Sequence, residues 1–328
     1  MGIRITNVGP VTTIQDAGRR GYMAFGFQAS GAMDKKAYEV ANILVGNAGG
    51  ESAIEMTLIG LSGEFTSDAV IAVTGADVSP ELNGVSIPRY RAVAVKKGDV
   101  LSCGFAQSGC RAYLAVHGGF FLKKVMDSYS TNVKCGIGGY LGRPLKKEDL
   151  LYFNTVSPKV AGLEKRGIEP PKIESCAVVR AVLGPQDDYF TEKGIRTFFS
   201  SEYKLTNESD RMGIKLDGAE IESKNGSDII SDGIPFGGIQ IPASGKPIVM
   251  AADRQTVGGY AKIATVISSD MAKLAQLKAG DTVRFKEISV ADAQDVYLKE
   301  MKEIDELDKK LNGKQYKIGE AIKKIWKK

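Results

Sequence analysis

The hydrophobic positions change period along the chain, and each change marks an element. Residues 3–11 alternate weakly and stop at Gly9-Pro10, a short strand and a turn. Over residues 35–45, Ala37, Tyr38, Ala41, Leu44 and Val45 recur at three- and four-residue steps, which predicts a helix. Asp34 stands where an N-cap is expected, and Gly46 where a terminator is. From Ala53 the period drops to two, through Ile54, Met56 and Leu58, then Phe65 and the run Val70-Ile71-Ala72-Val73. Turn signals follow at Thr74-Gly75-Ala76-Asp77 and at Asn83-Gly84, the second a strong hairpin dipeptide. Strands this short, broken this regularly, predict a barrel or sandwich and not a βαβ fold.

Residues 156–175 have no usable period and hold Pro158, Pro170 and Pro171, the composition of a linker. A second series of strands begins over residues 177–183. It runs through residues 207–216 into a glycine- and proline-rich stretch, residues 232–270. There, Ile239, Ile241, Ile248-Val249-Met250 and Ala264-Thr265-Val266-Ile267 read as buried strands. Beyond Ser289 the pattern is helical again, with Ala293, Tyr297, Met301, Ile304, Leu307 and Leu311 spaced among dense charges. Ile318, Ile322 and Ile325-Trp326 suggest another short helix. The domain boundaries predicted are thus 1–155, a linker at 156–175, 176–289, and an amphipathic helical tail at 290–328.

One element recurs. Lys97-Gly98-Asp99-Val100-Leu101 resembles Ala279-Gly280-Asp281-Thr282-Val283, and Lys147-Glu148-Asp149-Leu150-Leu151 is a third copy without the glycine. In each, a turn with a carboxylate launches an apolar strand. Gly-Asp turns are common, so the echo alone does not establish a duplication.

Composition narrows the function classes. The chain has 328 residues, 43% of them hydrophobic and 25% charged, with a net charge of +5. That is an ordinary globular balance with room for two cores. There is no Arg-rich run, and basic and aromatic residues do not interleave, which argues against nucleic acid. No apolar run approaches the ~20 residues of a membrane helix, and the first residues lack a signal peptide's apolar core. Cys103, Cys110, Cys135 and Cys176 show no paired spacing, so reduced thiols and a cytoplasmic setting are expected. The single histidine, His117, excludes a His-based zinc site and reads as a strand-end residue.

The candidate chemistry lies in polar residues next to glycines. Asp253-Arg254-Gln255-Thr256 follows a strand and precedes Gly258-Gly259-Tyr260, an arrangement that brings backbone and side chains together at a rim. Gln240, between Ile239 and Ile241, points to the opposite side of its strand from those two. One reading makes Gln240, Asp253, Arg254, Gln255, Tyr260 and Lys262 the lining of a cleft; the other makes the loop a polar hairpin with a capping Asp. On the first reading Asp253→Asn lowers turnover at least tenfold, about 1.4 kcal/mol in the barrier, with little change in melting temperature. Gln15, Asp16 and Arg19 either face the same site or fix a glycine-rich bend through an Asp16–Arg19 pair. Arg211 either binds a substrate carboxylate or ties a hairpin to Asp210 or Asp187. Arg143, at the end of Gly136-Ile137-Gly138-Gly139-Tyr140-Leu141-Gly142, belongs to a second site loop or to a turn.

GGIQIPASGKPIVMAADRQTVGGYAKIATVISSDMAKLAQLKAGDTVRF resembles the signature of the biotin-dependent carboxyltransferase family, also called allophanate hydrolase subunit 2, KipA-like, or the C-type subunit of 5-oxoprolinase. GPVTTIQDAGRRGYMAFGFQASGAMD, ANILVGN, AIEMTLIGLSGEF, RAYLAVHGGF, GPQDDYF and SDRMGIKLDG extend the resemblance over residues 3–289, in order. Tyr129, in Ser128-Tyr129-Ser130-Thr131, stands where the family usually carries Arg, so any contact made by that Arg is in doubt here.

The resemblance implies a mainly β protein of two cyclophilin-like β-barrel domains with a few helices. It implies a subunit of an ATP-dependent 5-oxoprolinase complex, converting 5-oxoproline, ATP and water to glutamate. Its partners would be a subunit-1-like (KipI-like) protein and a lactam-utilisation (LamB/YcsF-like) subunit. ATP would be used by the complex, since this chain has no recognisable nucleotide loop. A second reading is the carboxyltransferase component of a biotin-dependent urea or amide carboxylase, although no biotin-acceptor sequence is present. A third is a non-catalytic antagonist of a KipI-like kinase inhibitor. For the enzymatic readings, Asp253, Gln255 and Lys262 are the expected catalytic residues. Gln240, Arg254, Tyr260, Arg211, Arg143, Gln15, Asp16 and Arg19 are the expected substrate-binding set.

Overall fold

In the computed structural model, which describes residues 1–155, 159–224 and 226–313, the chain separates into two units that are not consecutive in sequence. Among the described residues, unit 1 comprises Met1–Gly18, Lys35–Lys172 and residues 297–313; unit 2 comprises Arg19–Asp34 and Ile173–Val296. Two pieces therefore depart from the sequence-based boundaries: residues 19–34 group with the second unit, and most of the helical tail groups with the first.

The strands of unit 1 are β1 (Gly2–Asn7), β2 (Thr12–Gln15), β3 (Ala53–Thr57), β4 (Ser62–Phe65), β5 (Ala69–Asp77), β6 (Glu81–Leu82), β7 (Val85–Ser86), β8 (Ala92–Val95), β9 (Val100–Ser102), β10 (Ser108–Val116) and β11 (Leu150–Tyr152). They form two antiparallel sheets, ordered β11-β1-β4-β9-β6-β7 and β2-β3-β10-β5-β8. The chain passes from one sheet to the other at Gly9-Pro10, between β1 and β2. Ile3 lies opposite Leu151 on one side and Phe65 on the other, and all three enter the core shared with Ile54, Ile71 and Leu114 of the second sheet. Burial of each such side chain contributes about 1.5–3 kcal/mol.

Strands β5 and β10 are buried along nearly their whole length. One face meets the core and the other meets helix α1 (Lys35–Leu44), where Thr74 donates to the Ala37 carbonyl at 2.7 Å and Tyr38 packs edge-on against Tyr113. Cover on both faces explains why Val70-Ile71-Ala72-Val73 is a continuous apolar run and not an alternating one.

Helix α1 ends at Gly46, whose φ of 77° is left-handed and whose N–H donates to the Ile43 carbonyl. The last carbonyls of a helix need donors from outside it. Arg166, in the stretch read as a linker, supplies them: Nη2 donates to the Ile43 carbonyl at 2.7 Å and Nε to that of Leu44 at 2.6 Å. His117 Nδ1 lies 2.7 Å from the Val45 carbonyl, so the lone histidine is a structural strand-end residue. Residues 166–168 continue the same docking, with Ala92 N–H donating to Arg166 and Ile168 N–H to Tyr90. Of that linker, residues 156–158 lie outside the described residues.

Unit 2 closes into a barrel. Its strands β12 (Cys176–Leu183), β13 (Glu202–Leu205), β14 (Gly213–Asp217), β16 (Gly238–Gln240), β17 (Ile248–Met250), β19 (Lys262–Val266) and β20 (Thr282–Glu287) follow the ring order β12-β19-β16-β17-β14-β13-β20. The ring closes where β12 and β20 run parallel, Val179 opposite Phe285; its other ladders are antiparallel. Helix α2 (Glu192–Ser200), N-capped by the Thr191 hydroxyl, stacks Phe198 on Phe285 at 4.5 Å. A short helix α3 (Met271–Gln276) buries Met271 and Leu274. Strands β15 (Asp228–Gly233) and β18 (Val257–Tyr260) stand apart as a two-stranded ribbon.

The tail is one helix, α4 (Val290–Asn312), as its spacing predicted, with Met301 and Ile304 buried. Lys36 reaches Glu300 at 3.5 Å, and Arg166 donates to the Leu311 carbonyl at 2.8 Å. The short helix suggested by Ile318 and Trp326 lies outside the described residues. Among the described residues, no helix is long and apolar enough to cross a membrane.

Candidate functional site

The polar residues of unit 2 gather around the ribbon. After β17 the chain turns through Ala251-Ala252, and Asp253 N–H donates to the Arg211 carbonyl at 2.7 Å. The Arg211 guanidinium returns to the same residue, with Nε 2.8 Å from Oδ2 and Nη2 3.2 Å from Oδ1 of Asp253. Nη2 also donates to the Gly31 carbonyl at 2.7 Å. Arg211 therefore ties the loop to Asp253, a carboxylate other than the Asp210 or Asp187 that the sequence suggested. Asp210 instead accepts from the N–H groups of Met212 and Gly213 in its own bend.

This pairing changes the expectation for Asp253→Asn. Both partners are largely buried. Removing the carboxylate takes a buried partner from the Arg211 charge, so the substitution costs stability as well as any activity.

Arg254 is the next residue and only 7% exposed. Its Nε donates to the Ile234 carbonyl at 2.9 Å, while Nη1 lies 3.5 Å from the Ala251 carbonyl and Nη2 3.6 Å from the Met23 Sδ. Its Cζ sits 5.7 Å from the centre of the Phe236 ring. Burial lowers the guanidinium pKa to about 10, with no carboxylate among the described residues to raise it again.

Lys262 opens β19 and is buried, with Nζ 3.0 Å from the Asp232 Oδ2. Gln186 bridges the pair: its Oε1 accepts from Lys262 N–H at 3.2 Å and its Nε2 donates to the same Asp232 oxygen at 3.3 Å. The hydrogen bond from Lys262, then that from Gly233 N–H, holds the Asp232 carboxyl below the usual carboxylate range. Gln240, opposite Lys262 across the β16–β19 ladder, is buried and directs Nε2 to the Tyr260 carbonyl at 3.4 Å. Gly258 belongs here for steric reasons. A Cβ on it would lie 2.7 Å from Ile234 Cδ1 and 3.1 Å from Gln240 Nε2. Ile234 thus links the Arg254 end to the Gln240 end. Gln255 and Tyr260 face solvent.

The candidates in unit 1 are engaged otherwise. Asp16 accepts from Ser128 Oγ at 2.7 Å, Ser130 Oγ at 2.5 Å, Tyr129 N–H at 2.6 Å and Gly18 N–H at 2.8 Å. Its carboxylate thereby pins the Ser128-Tyr129-Ser130-Thr131 segment. Gln15 donates to Thr13 Oγ1 and to the Thr131 carbonyl. Arg143 forms a bidentate pair with Asp149, both contacts 2.7 Å. Burial raises the Asp149 carboxyl, but the bond from Arg143 and the Lys146 N–H bring it below its ordinary value. Arg19 groups with unit 2 and is buried, its N–H donating to the Ala29 carbonyl. A groove of about 830 Å³ in unit 1, beside Asp68, Lys96, Lys97 and Lys159, contains none of the predicted residues.

Sequence reading missed Gln186, Asp232 and Met23. The signal for the first two lay in burial: Lys262 needs an acceptor once its strand is buried, and Asp232, near the end of the ribbon strand β15, supplies it. Met23 carried no signal, because its relation to Arg254 arises only when residues 19–34 fold with unit 2.

The arrangement offers hydrogen-bond donors from Arg254 and Gln240, a lysine held by Asp232, and an exposed amide and phenol at Gln255 and Tyr260. Such a set binds and polarises a carbonyl or carboxylate.

Known proteins share this arrangement of chain. The family model for the carboxyltransferase domain, subdomain A and B, matches residues 25–287. The C-type subunit of 5-oxoprolinase from Haemophilus influenzae is 37% identical, covering 92% of this chain and 98% of that protein. Its Escherichia coli counterpart is 36% identical, covering 89% and 93%. Among solved structures, the K. lactis urea amidolyase superposes with a TM-score of 0.87 at 31% identity over 93% of this chain, which spans only 20% of that much longer protein. With strands β3 to β11 of unit 1, the closed barrel and the polar ribbon inside the matched span, the chain belongs to the carboxyltransferase domain, subdomain A and B, family.

Proposed function

We propose that the chain is the C-type subunit of an ATP-dependent 5-oxoprolinase, in which it binds and activates a small cyclic amide. The observation that carries this reading is correspondence of length. The chain matches the C-type subunits of two 5-oxoprolinases over 98% and 93% of their lengths. It corresponds to only a fifth of the urea amidolyase. A match over nearly the whole of those relatives suits a subunit of the same kind.

On this reading the assembly also contains a KipI-like subunit and a lactam-utilisation subunit, and acts in the cytoplasm. ATP is handled by the partners. Within this chain, Arg254 and Gln240 orient the lactam, and the Lys262–Asp232 pair keeps a cation at its carbonyl. Tyr260 and Gln255 meet solvent at the entrance. The bare apolar side chains of the ribbon, Ile230 at 95% exposure and Val257 at 55%, suit a face covered by another member of the assembly.

The likeness to urea amidolyase supports a second reading, a carboxyltransferase component that uses biotin. The donor set fits a ureido group, since Arg254 and Gln240 both present N–H to an amide-like oxygen. Biotin, when bound, would supply the carboxyl carrier.

The test is reconstitution. The purified chain alone is expected to give no 5-oxoproline-dependent ADP release, and the chain with its partner subunits a steady rate. Turnover of 5-oxoproline by the single chain would contradict the proposal. Urea-dependent but not 5-oxoproline-dependent turnover would favour the second reading.

A further inference from the structure

Three buried cations, Arg211, Arg254 and Lys262, lie on or beside the same loop of unit 2. Two have carboxylates: Asp253 for Arg211 and Asp232 for Lys262. Among the described residues, Arg254 is bonded to none. Its partners are the Ile234 and Ala251 carbonyls and the Met23 thioether.

A guanidinium carries five N–H donors and a full charge, and a thioether is a weak acceptor. Only the Nε bond, at 2.9 Å, has ordinary length and a strong acceptor; the Nη contacts, at 3.5 and 3.6 Å, are long. The Nη edge of the fork is thus the edge with donor capacity left. A protein interior does not retain an uncompensated charge without cost, so the residue is kept for something that arrives with the opposite charge.

The neighbours define what can arrive. Met23 begins a short 3-10 turn, Met23–Phe25, whose Phe25 is exposed. Methionine is flexible and shifts readily to admit a group at Nη2. Phe236 lies against Arg254 on an apolar side. The site therefore takes a planar oxyanion on a small body with little other charge.

We propose that Arg254 is the receptor for a substrate carboxylate, bound bidentately through Nη1 and Nη2, so that the chain selects carboxylate-bearing cyclic amides over neutral ones. This rests on the functional reading above for the word substrate, but the anion site itself does not. Arg254 positions the ligand; the carbonyl end of the ligand is left to the neighbouring donors of Gln240 and Lys262.

The test uses the full-length chain, alone and with its partner subunits, and three probes: 5-oxoproline, 2-pyrrolidinone (the same ring without the carboxylate) and malonate. Binding is read by titration calorimetry and by the ¹⁵Nε resonance of Arg254. Wild type is expected to bind 5-oxoproline at least tenfold more tightly than 2-pyrrolidinone. Arg254→Met is expected to lose that preference while melting at the same temperature as wild type or higher, because a buried charge has gone. Arg254→Lys, which keeps the charge and loses the fork, is expected to retain only part of it. Malonate moving the Arg254 resonance while 5-oxoproline does not bind would support the anion site and overturn the functional reading. Failure of both carboxylates to move it, or an undiminished preference in Arg254→Met, would overturn the proposal.

Discussion

Two polar loops, each beside glycines and each centred on an aspartate, end up doing different work. In unit 1, Asp16 accepts four hydrogen bonds, and Gln15 and Arg143 are likewise paired within their own unit. In unit 2, Asp253 is taken up by Arg211, but the loop carries on to an Arg254 with only neutral partners among the described residues and to exposed Gln255 and Tyr260. Polarity next to glycine is common to both loops. What separates them is whether the hydrogen-bonding capacity of the charged group is filled inside the fold: Asp16 accepts four short bonds and holds the chain together, whereas the Nη edge of Arg254 has only long contacts and is poised for a ligand.

The comparison breaks most visibly if the two aspartates are neutralised. Asp16→Asn and Asp253→Asn are each expected to cost about 3 kcal/mol in urea unfolding, since each leaves buried partners unsatisfied. The two differ in how they can be rescued. Replacing both members of the Arg211–Asp253 pair with apolar residues should recover most of the loss, because the buried charge leaves with its partner. Asp16 has no single partner to remove, so no second substitution should restore it. A loss below about 1 kcal/mol for Asp16→Asn would show that its hydrogen bonds are replaced by water.

A smaller effect probes the recurrent turn. In all three copies the aspartate accepts from the N–H three residues before it: Lys96 to Asp99, Lys146 to Asp149 and Lys278 to Asp281. The residue before each aspartate has positive φ: Gly98 at 92°, Gly280 at 96° and Glu148 at 72°. Glu148 thus holds a left-handed conformation without being glycine, at a cost of about 1 kcal/mol. Glu148→Gly should stabilise the protein by a net ~0.5 kcal/mol, once the freer unfolded chain is counted. A destabilised variant would mean that the side chain contributes to the turn.

That turn shows what the sequence could and could not reveal. Its spacing was legible because each copy is local, as was the Asn83-Gly84 hairpin, where both residues have positive φ between β6 and β7. The helix at 35–44 and the long tail helix were legible from period alone. The role of Arg166 was not, because residues around it have no period and its partners, Ile43, Leu44 and Leu311, lie far away in sequence. The arrangement of unit 1 as two sheets was hidden as well, since strand spacing is the same for facing sheets as for a closed ring. The four cysteines are all thiols outside any disulfide, two buried and two exposed, and burial pushes the Cys103 thiol up to about 12. At the candidate site, the loop 253–260 was visible as a motif. The division of its charges into balanced and unbalanced was not, because Arg211, Asp232 and Met23 reach it from elsewhere in the chain.

The contrast between Arg254 and Asp16 is tested most directly by kcat/KM for 5-oxoproline in the reconstituted assembly, per folded complex, for Arg254→Lys and Asp16→Asn side by side. Arg254→Lys is expected to lose at least tenfold, about 1.4 kcal/mol, with its melting temperature near that of wild type. Asp16→Asn is expected to melt lower yet keep its specific activity within twofold. Specific activity lost in Asp16→Asn and kept in Arg254→Lys would contradict the assignment of chemistry to unit 2.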